Sequence, residues 1–230
     1  VYKVSGGLHG VGASVVNALS EWMWIEVRRD GKVFRQEYKR GEPTGPVGEV
    51  KGSLMKLTSG TTTTFFPDRQ IFKEGITLNF ELLKKLVRER AYLVPKLFFH
   101  LEDRRPPNGQ KNECHFYFES GIASLVSQLN KNKNTLTTPI YIQKEVNHLN
   151  TEVALQYNDG FSETVESFAN VINTQEGGTH LTGFRMALTR AINDYGKKIG
   201  AFKNGEEGMT GEDTREGLVA VVAIRMPSQN

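Results

Sequence analysis

Cysteine is almost missing from this sequence: Cys114 stands alone among 230 residues. One thiol cannot build an internal disulfide framework, so the fold is expected to rest on its core, and the composition fits a reducing compartment such as the cytoplasm. Long apolar runs are missing too. None approaches the roughly 20 residues that span a bilayer, and no charged-then-apolar leader opens the chain, so neither a membrane nor export is expected. An excess of one charge is also lacking. The 29 Lys and Arg face 26 Asp and Glu, for a net charge of +3. That is too mild to announce nucleic acid by composition, though a local basic face stays open. An initiator methionine is lacking as well. The chain opens on VYKVSGG and closes on VAVVAIRMPSQN, just after an apolar run, which reads as a piece of something longer.

What is present is a mixture of helix and strand patterns. Val15, Val16, Leu19 and Trp22 mark the apolar stripe of a short helix. WIEVRRDGKVFRQEY then reads as a hairpin around Asp30-Gly31, a strong turn dipeptide. Lys39 to Val50 reads as loop and short strand, and GTTTTFFP as a strand ended by Pro67. Leu78 to Leu93 has amphipathic spacing, with Leu82, Leu83, Leu86 and Val87 on one face. KLFFHLED and HFYFE read as strands around RRPPNGQKN, a hairpin or linker. Ile122, Leu125, Val126 and Leu129 sit at helical spacing; PIYIQK and TEVALQYND read as pairing strands, and ETVESFANVI as another. A long helix follows Gly178, with Thr179 as its expected N-cap and Leu181, Phe184, Leu188, Ile192 and Tyr195 on one face. GAFKNGEEGMTGED reads as a glycine-rich connection. GLVAVVAIRM lacks alternation and reads as the most buried strand. The class is α+β, in two layered halves.

Glycine is concentrated where it costs most, directly before a helix. In VSGGLHGVGASVVNALS, Gly6, Gly7, Gly10 and Gly12 precede the first apolar stripe. The leading amides of a helix have no intrahelical acceptor, and the dipole adds partial positive charge there. Glycines let an anion approach those amides and let successive N–H groups converge. The physical reading is a phosphate site at the helix beginning near Ala13. The dinucleotide fingerprint fails, because from Gly10 the third glycine is replaced by Val15. The triphosphate P-loop fails too, since no Lys-Ser/Thr pair follows. What stands is G-x-x-G-x-G at Gly7, Gly10 and Gly12. Taken alone, that triple is equally a turn that lets a helix pack closely on a sheet.

Its surroundings make it specific. YKVSGGLHGVGASVVNALS resembles the third ATP-binding motif of the type IIA DNA topoisomerase ATPase region, the gyrase B and topoisomerase IV B branch of the GHKL superfamily. SGTTTTFFPD resembles the family's G-T-x-x-x-F-x-P strand. VALQYNDGFSETVESFANVINTQEGGTHLTGFRMALTR and GEDTREGLVAVV resemble its transducer segment. The resemblance runs collinearly through nearly the whole chain. It implies the C-terminal part of a GHKL-type α/β-sandwich ATP-binding domain over residues 1–112, followed over 113–230 by a transducer of ribosomal-protein-like, two-layer α/β fold.

The resemblance also implies site roles. Gly6, Gly7, Leu8, His9, Gly10, Val11 and Gly12 match the lid-hinge segment whose backbone amides wrap the triphosphate, in agreement with the helix-terminus argument. Tyr2 and Lys3 match the end of the ATP lid, and Thr61 the threonine that reads the adenine with a carboxylate and a water. The family's base glutamate, its magnesium-binding asparagine and its adenine-binding aspartate are expected upstream of Val1, and its γ-phosphate lysine beyond the last residue. ATP and Mg2+ are the implied cofactors, with the Mg2+ ligand expected outside this chain. The implied partners are a captured double-stranded DNA segment, a second copy through the ATPase region, and the DNA gyrase A protein or its topoisomerase IV counterpart. Gyrase B is the first expectation and topoisomerase IV B the alternative; a MutL-type ATPase and a non-catalytic anion-binding module stand behind them. Arg185 and Arg190 on the long helix are candidates for the DNA cavity, although a solvated face explains them first. His100, His115, His148 and His180 show no metal-ligand spacing and read as structural, and Cys114 as a packed apolar residue.

Overall fold

Asp30 and Gly31 take φ of 53° and 73°, the two positive values that a type I′ hairpin turn requires. The computed structural model describes residues 11–50, 59–105, 112–202 and 208–226, and these fall into two units dividing at Leu78 and Asn79.

In the first unit, helix α1 (Gly12–Ala18) leads into strands β1 (Ser20–Arg29), β2 (Lys32–Lys39), β3 (Glu42–Pro43), β4 (Gly48–Glu49) and β5 (Gly60–Pro67). The sheet runs β3-β2-β1-β5, with β4 also on β2, and all its pairs are antiparallel. The Asp30-Gly31 hairpin and the GTTTTFFP strand form as the sequence predicts. The first apolar stripe does not. Leu19 and Trp22 were expected on the helix, but β1 begins at Ser20, whose hydroxyl donates to the Val16 carbonyl at 2.6 Å. Two apolar runs of different period abut there, and the spacing merges them into one. A second positive-φ turn, Arg40 (50°) and Gly41 (85°), joins β2 to β3. Gly41 meets α1 closely: a Cβ there would lie 3.3 Å from the Ala18 Cα, while its carbonyl accepts from Asn17 Nδ2 at 3.2 Å.

The second unit comprises α2 (Phe80–Leu93), β6 (Phe99–Asp103), β7 (Asn112–Phe116), α3 (Ile122–Leu129), β8 (Ile140–Val146), β9 (Leu149–Tyr157), β10 (Thr164–Ala169), β11 (Ile172–Asn173), α4 (Thr179–Lys198) and β12 (Leu218–Arg225). Its five-stranded sheet runs β11-β10-β12-β9-β8, with β12 parallel to β10 and antiparallel to β9. Val219, Val221 and Ala223 face α2 and α3, where Tyr92, Leu93, Ile122, Leu125, Val126 and Phe168 complete a core. Leu218 and Ala220 face the other way, towards Phe184 and Leu188 of α4. Helices thus cover both faces of this sheet. The unbroken apolar run of β12 is the sequence counterpart of that double burial.

Other expectations shift at the ends. HFYFE becomes β7 three residues earlier, fixed by pairing of Phe116 with Phe99. On α2, Ala91, Tyr92 and Leu93 are the buried residues, whereas Leu82 and Leu86 stay exposed. Thr179 is the first residue of α4 and not its N-cap; Gly178 holds that position at φ 150°, with no side-chain cap.

Candidate functional site

Helix α1 begins without a side-chain cap. Val11 occupies the N-cap position in αR conformation and offers no hydrogen bond to the first turn. Its carbonyl accepts the first intrahelical bond, from Val15 N at 2.9 Å, so the leading amides keep no acceptor within the helix. A Cβ on Gly12 would meet nothing within 4 Å, and Val11 is exposed. Among the described residues the donor set is therefore backbone N–H with nothing against Gly12, the chemistry that suits phosphate oxygens. Tyr2, Lys3, Gly6, Gly7, Leu8, His9 and Gly10 lie outside the described residues.

Thr61 belongs to the same unit, on β5 opposite Val27 of β1. Alternation divides the threonine run between two faces. Thr62 is engaged: its Oγ1 accepts from Arg28 Nη1 at 2.9 Å. Thr61 is exposed on the opposite face with its hydroxyl unbonded among the described residues. Beyond β5 the chain is fixed by Asp68, which is 3 % exposed. Its carboxylate accepts from Arg40 Nε at 2.7 Å and from Gln70 N at 2.8 Å. Those bonds, the Gln70 amide first and then Arg40, hold its pKa below the usual carboxylate value. No feature of the sequence linked Arg40 to Asp68; pairing of β1 with both β2 and β5 does.

In the second unit, Arg185 and Arg190 have different surroundings. Arg185 Nε donates to Glu163 Oε1 at 2.9 Å, and Arg215 approaches Glu163 Oε2 at 3.4 Å. Arg190 extends into solvent, with Asp194 at 3.6 Å as its ion-pair partner among the described residues. Five residues apart on a helix is about 140° of rotation, so the two do not share a face. An apolar cavity of about 470 Å³ lies between α4 and the sheet. Thr151 and His180 are the polar side chains in its lining, too few for a triphosphate. His100, Glu113 and His115 come together on the β6–β7 ribbon, a grouping that linear spacing concealed.

Antiparallel and mixed sheets, with a helix that opens on Gly12 leading the first, make an α+β protein. The sequence model of the DNA gyrase B family matches residues 121–230. The DNA gyrase B protein of Streptococcus pneumoniae serotype 4 is 47% identical over 228 residues, 99% of this chain and 34% of that protein. The DNA topoisomerase 4 B protein of Staphylococcus aureus strain MW2 is 44% identical over the same 99% and 34%. Among solved structures, the 43K ATPase domain of Thermus thermophilus gyrase B, in complex with an aminocoumarin, superposes with TM-score 0.83 at 39% identity, covering 95% of this chain and 58% of that one. Over nearly its whole length the chain is similar to the B proteins of DNA gyrase and topoisomerase IV. It spans about a third of the length of the curated relatives it matches.

Proposed function

We propose that this chain supplies the triphosphate-binding donors and the transducer of an ATP-driven type IIA topoisomerase, a DNA gyrase B protein in the first reading. The carrying observation is the start of α1, which among the described residues has no side-chain cap and nothing within 4 Å of a Cβ on Gly12, inside a collinear match to gyrase B over 228 residues. Topoisomerase IV B is the second reading, because a relative of that name matches the same span only slightly less well.

In this reading the backbone amides from Gly6 to Gly12 bind the β- and γ-phosphate oxygens, and the dipole of α1 adds to their pull. Tyr2 and Lys3 close the edge of the pocket, and the Thr61 hydroxyl orients the adenine. ATP with Mg2+ supplies the phosphoanhydride and neutralises its charge; no residue of this chain is assigned as metal ligand or general base. The amides stabilise charge that develops on the transferred phosphoryl group. Lid contacts made only with the γ-phosphate favour the closed, dimeric state around a double-stranded DNA segment. A functional boundary near residue 112 separates nucleotide binding from the transducer, which passes closure to gyrase A or its topoisomerase IV counterpart in the cytoplasm. Arg185, tied to Glu163, acts as an internal strut; Arg190 is the residue with a side chain available to a DNA phosphate.

Substitution of Thr61 by Ala tests the pocket. Loss of one hydrogen bond, about 1–1.5 kcal/mol, predicts an ATP affinity lower by about tenfold, with folding unchanged because the hydroxyl bonds nothing among the described residues. Unaltered affinity in equilibrium titration would remove Thr61 from the site.

A further inference from the structure

The β6–β7 ribbon carries a cluster that the proposed ATP chemistry does not use. Antiparallel pairing sets His100 opposite His115 and Glu102 opposite Glu113. Residues that face one another across a ladder share a face, and Glu113 and His115, two apart, share it as well. One carboxylate oxygen therefore lies between two imidazoles: Glu113 Oε1 is 2.8 Å from His100 Nε2 and 3.2 Å from His115 Nε2. The two rings stack with centroids 4.5 Å apart, and Phe98 stacks against His115 at 5.5 Å, which limits the freedom of that ring. All three ligand candidates are exposed, so an ion has access.

We propose that His100, Glu113 and His115 form a binding site for a late first-row divalent cation, Zn2+ in the first instance. Two neutral imidazoles and one carboxylate are a donor set that zinc takes, with water completing four-coordination. Proximity is already present, since the three ligand atoms lie within 4.8 Å of one another; a rotation of the stacked rings, now inclined by 28°, would aim both nitrogens at one ion. Ligands at about 2.1 Å from a tetrahedral ion sit about 3.4 Å apart. From separations of 2.8 Å and 3.2 Å, the Glu113 oxygen thus needs to open by about 0.6 Å from the His100 nitrogen and about 0.2 Å from the His115 nitrogen to admit it. The ion would clasp two strands that, among the described residues, pair only with each other. The ribbon already packs on α2, and a cation that binds only the folded form would stabilise it further by mass action. Cys114 takes no part, because it pairs with Leu101 on the opposite face of the ribbon.

Titration of the metal-free chain with ZnCl2 against a chromophoric chelator, combined with long-range ¹H–¹⁵N spectra of the histidine rings, tests the site. One equivalent is expected to bind, with the Nε2 resonances of His100 and His115 moving to metal-bound values. His100→Ala, His115→Ala and Glu113→Gln should each weaken binding by about tenfold or more, while His148→Ala on the β8–β9 turn and Cys114→Ser should not. Ring nitrogens of both histidines that stay unmoved at one equivalent would overturn the site, and this measurement needs no variant. Affinity retained in the His100→Ala/His115→Ala double variant, or lost in Cys114→Ser, would overturn it equally. None of these outcomes depends on the nucleotide reading.

Discussion

Glu152 is the most exacting side chain in the second unit. It is 4 % exposed, yet it carries an ion pair with Arg225 at 2.7 Å and accepts from the Tyr141 hydroxyl at 3.0 Å. Arg225 also donates to the Leu93 carbonyl at 3.0 Å, tying the end of β12 to α2. Removing one partner of such a pair strands the other charge. Arg225→Met is therefore expected to lower stability by about 3 kcal/mol in urea unfolding, and Glu152→Gln in the same background to recover part of the loss. Tyr141 reports on the same cluster. Burial first, then the Glu152 charge and its hydrogen bond, push the phenol up to about 12. Its contribution to stability is full below its ordinary value of 10.0 and is lost as pH rises towards 12. A spectrophotometric titration should find Tyr141 among the tyrosines that ionise late, with Tyr92 and Tyr157 also raised by burial, and Glu152→Gln should bring the Tyr141 step down. None of these contacts was legible in the sequence. They join residues distant in the chain, brought together by the register of β8, β9 and β12.

At the scale of elements, legibility follows local chemistry. Positive-φ dipeptides and uninterrupted β-branched runs specify themselves, so the Asp30-Gly31 turn, β5 and β12 were readable. The apolar spacing of α3 was also sufficient: Ile122, Leu125 and Val126 are buried. Elements failed where two signals met, as at Leu19 and Trp22, or where tertiary packing chose the face, as on α2. The close contact of α1 with the Arg40-Gly41 turn is likewise a product of tertiary packing, with no linear signal. It yields a sharp expectation. At φ 85°, with Ala18 Cα 3.3 Å from an added Cβ, Gly41→Ala should cost about 1–2 kcal/mol from the backbone conformation alone. Thermal unfolding would show it. Gly31→Ala, equally positive in φ but with open space around it, isolates the conformational part, and the difference between the two measures the contact with α1.

For the whole molecule, the sequence carried the class and the family, because motif and collinear resemblance do not depend on long-range register. The proposed nucleotide site rests on a donor set that the sequence suggests, α1 and its glycines, and the separation of Thr61 from Thr62 emerged only once β5 had two faces. The histidine cluster was invisible for the opposite reason, since its members converge only through the pairing of β6 with β7. The account rests on backbone amides at the entrance to α1 binding terminal phosphate oxygens. Amide hydrogen exchange, resolved over residues 4–18 in the full-length protein that carries this chain, measures that most directly. With a non-hydrolysable ATP analogue and Mg2+, protection is expected to rise by at least tenfold from Gly6 to Gly12, and by less with ADP. An unchanged exchange pattern over those residues, under saturating nucleotide that binds elsewhere, would contradict it.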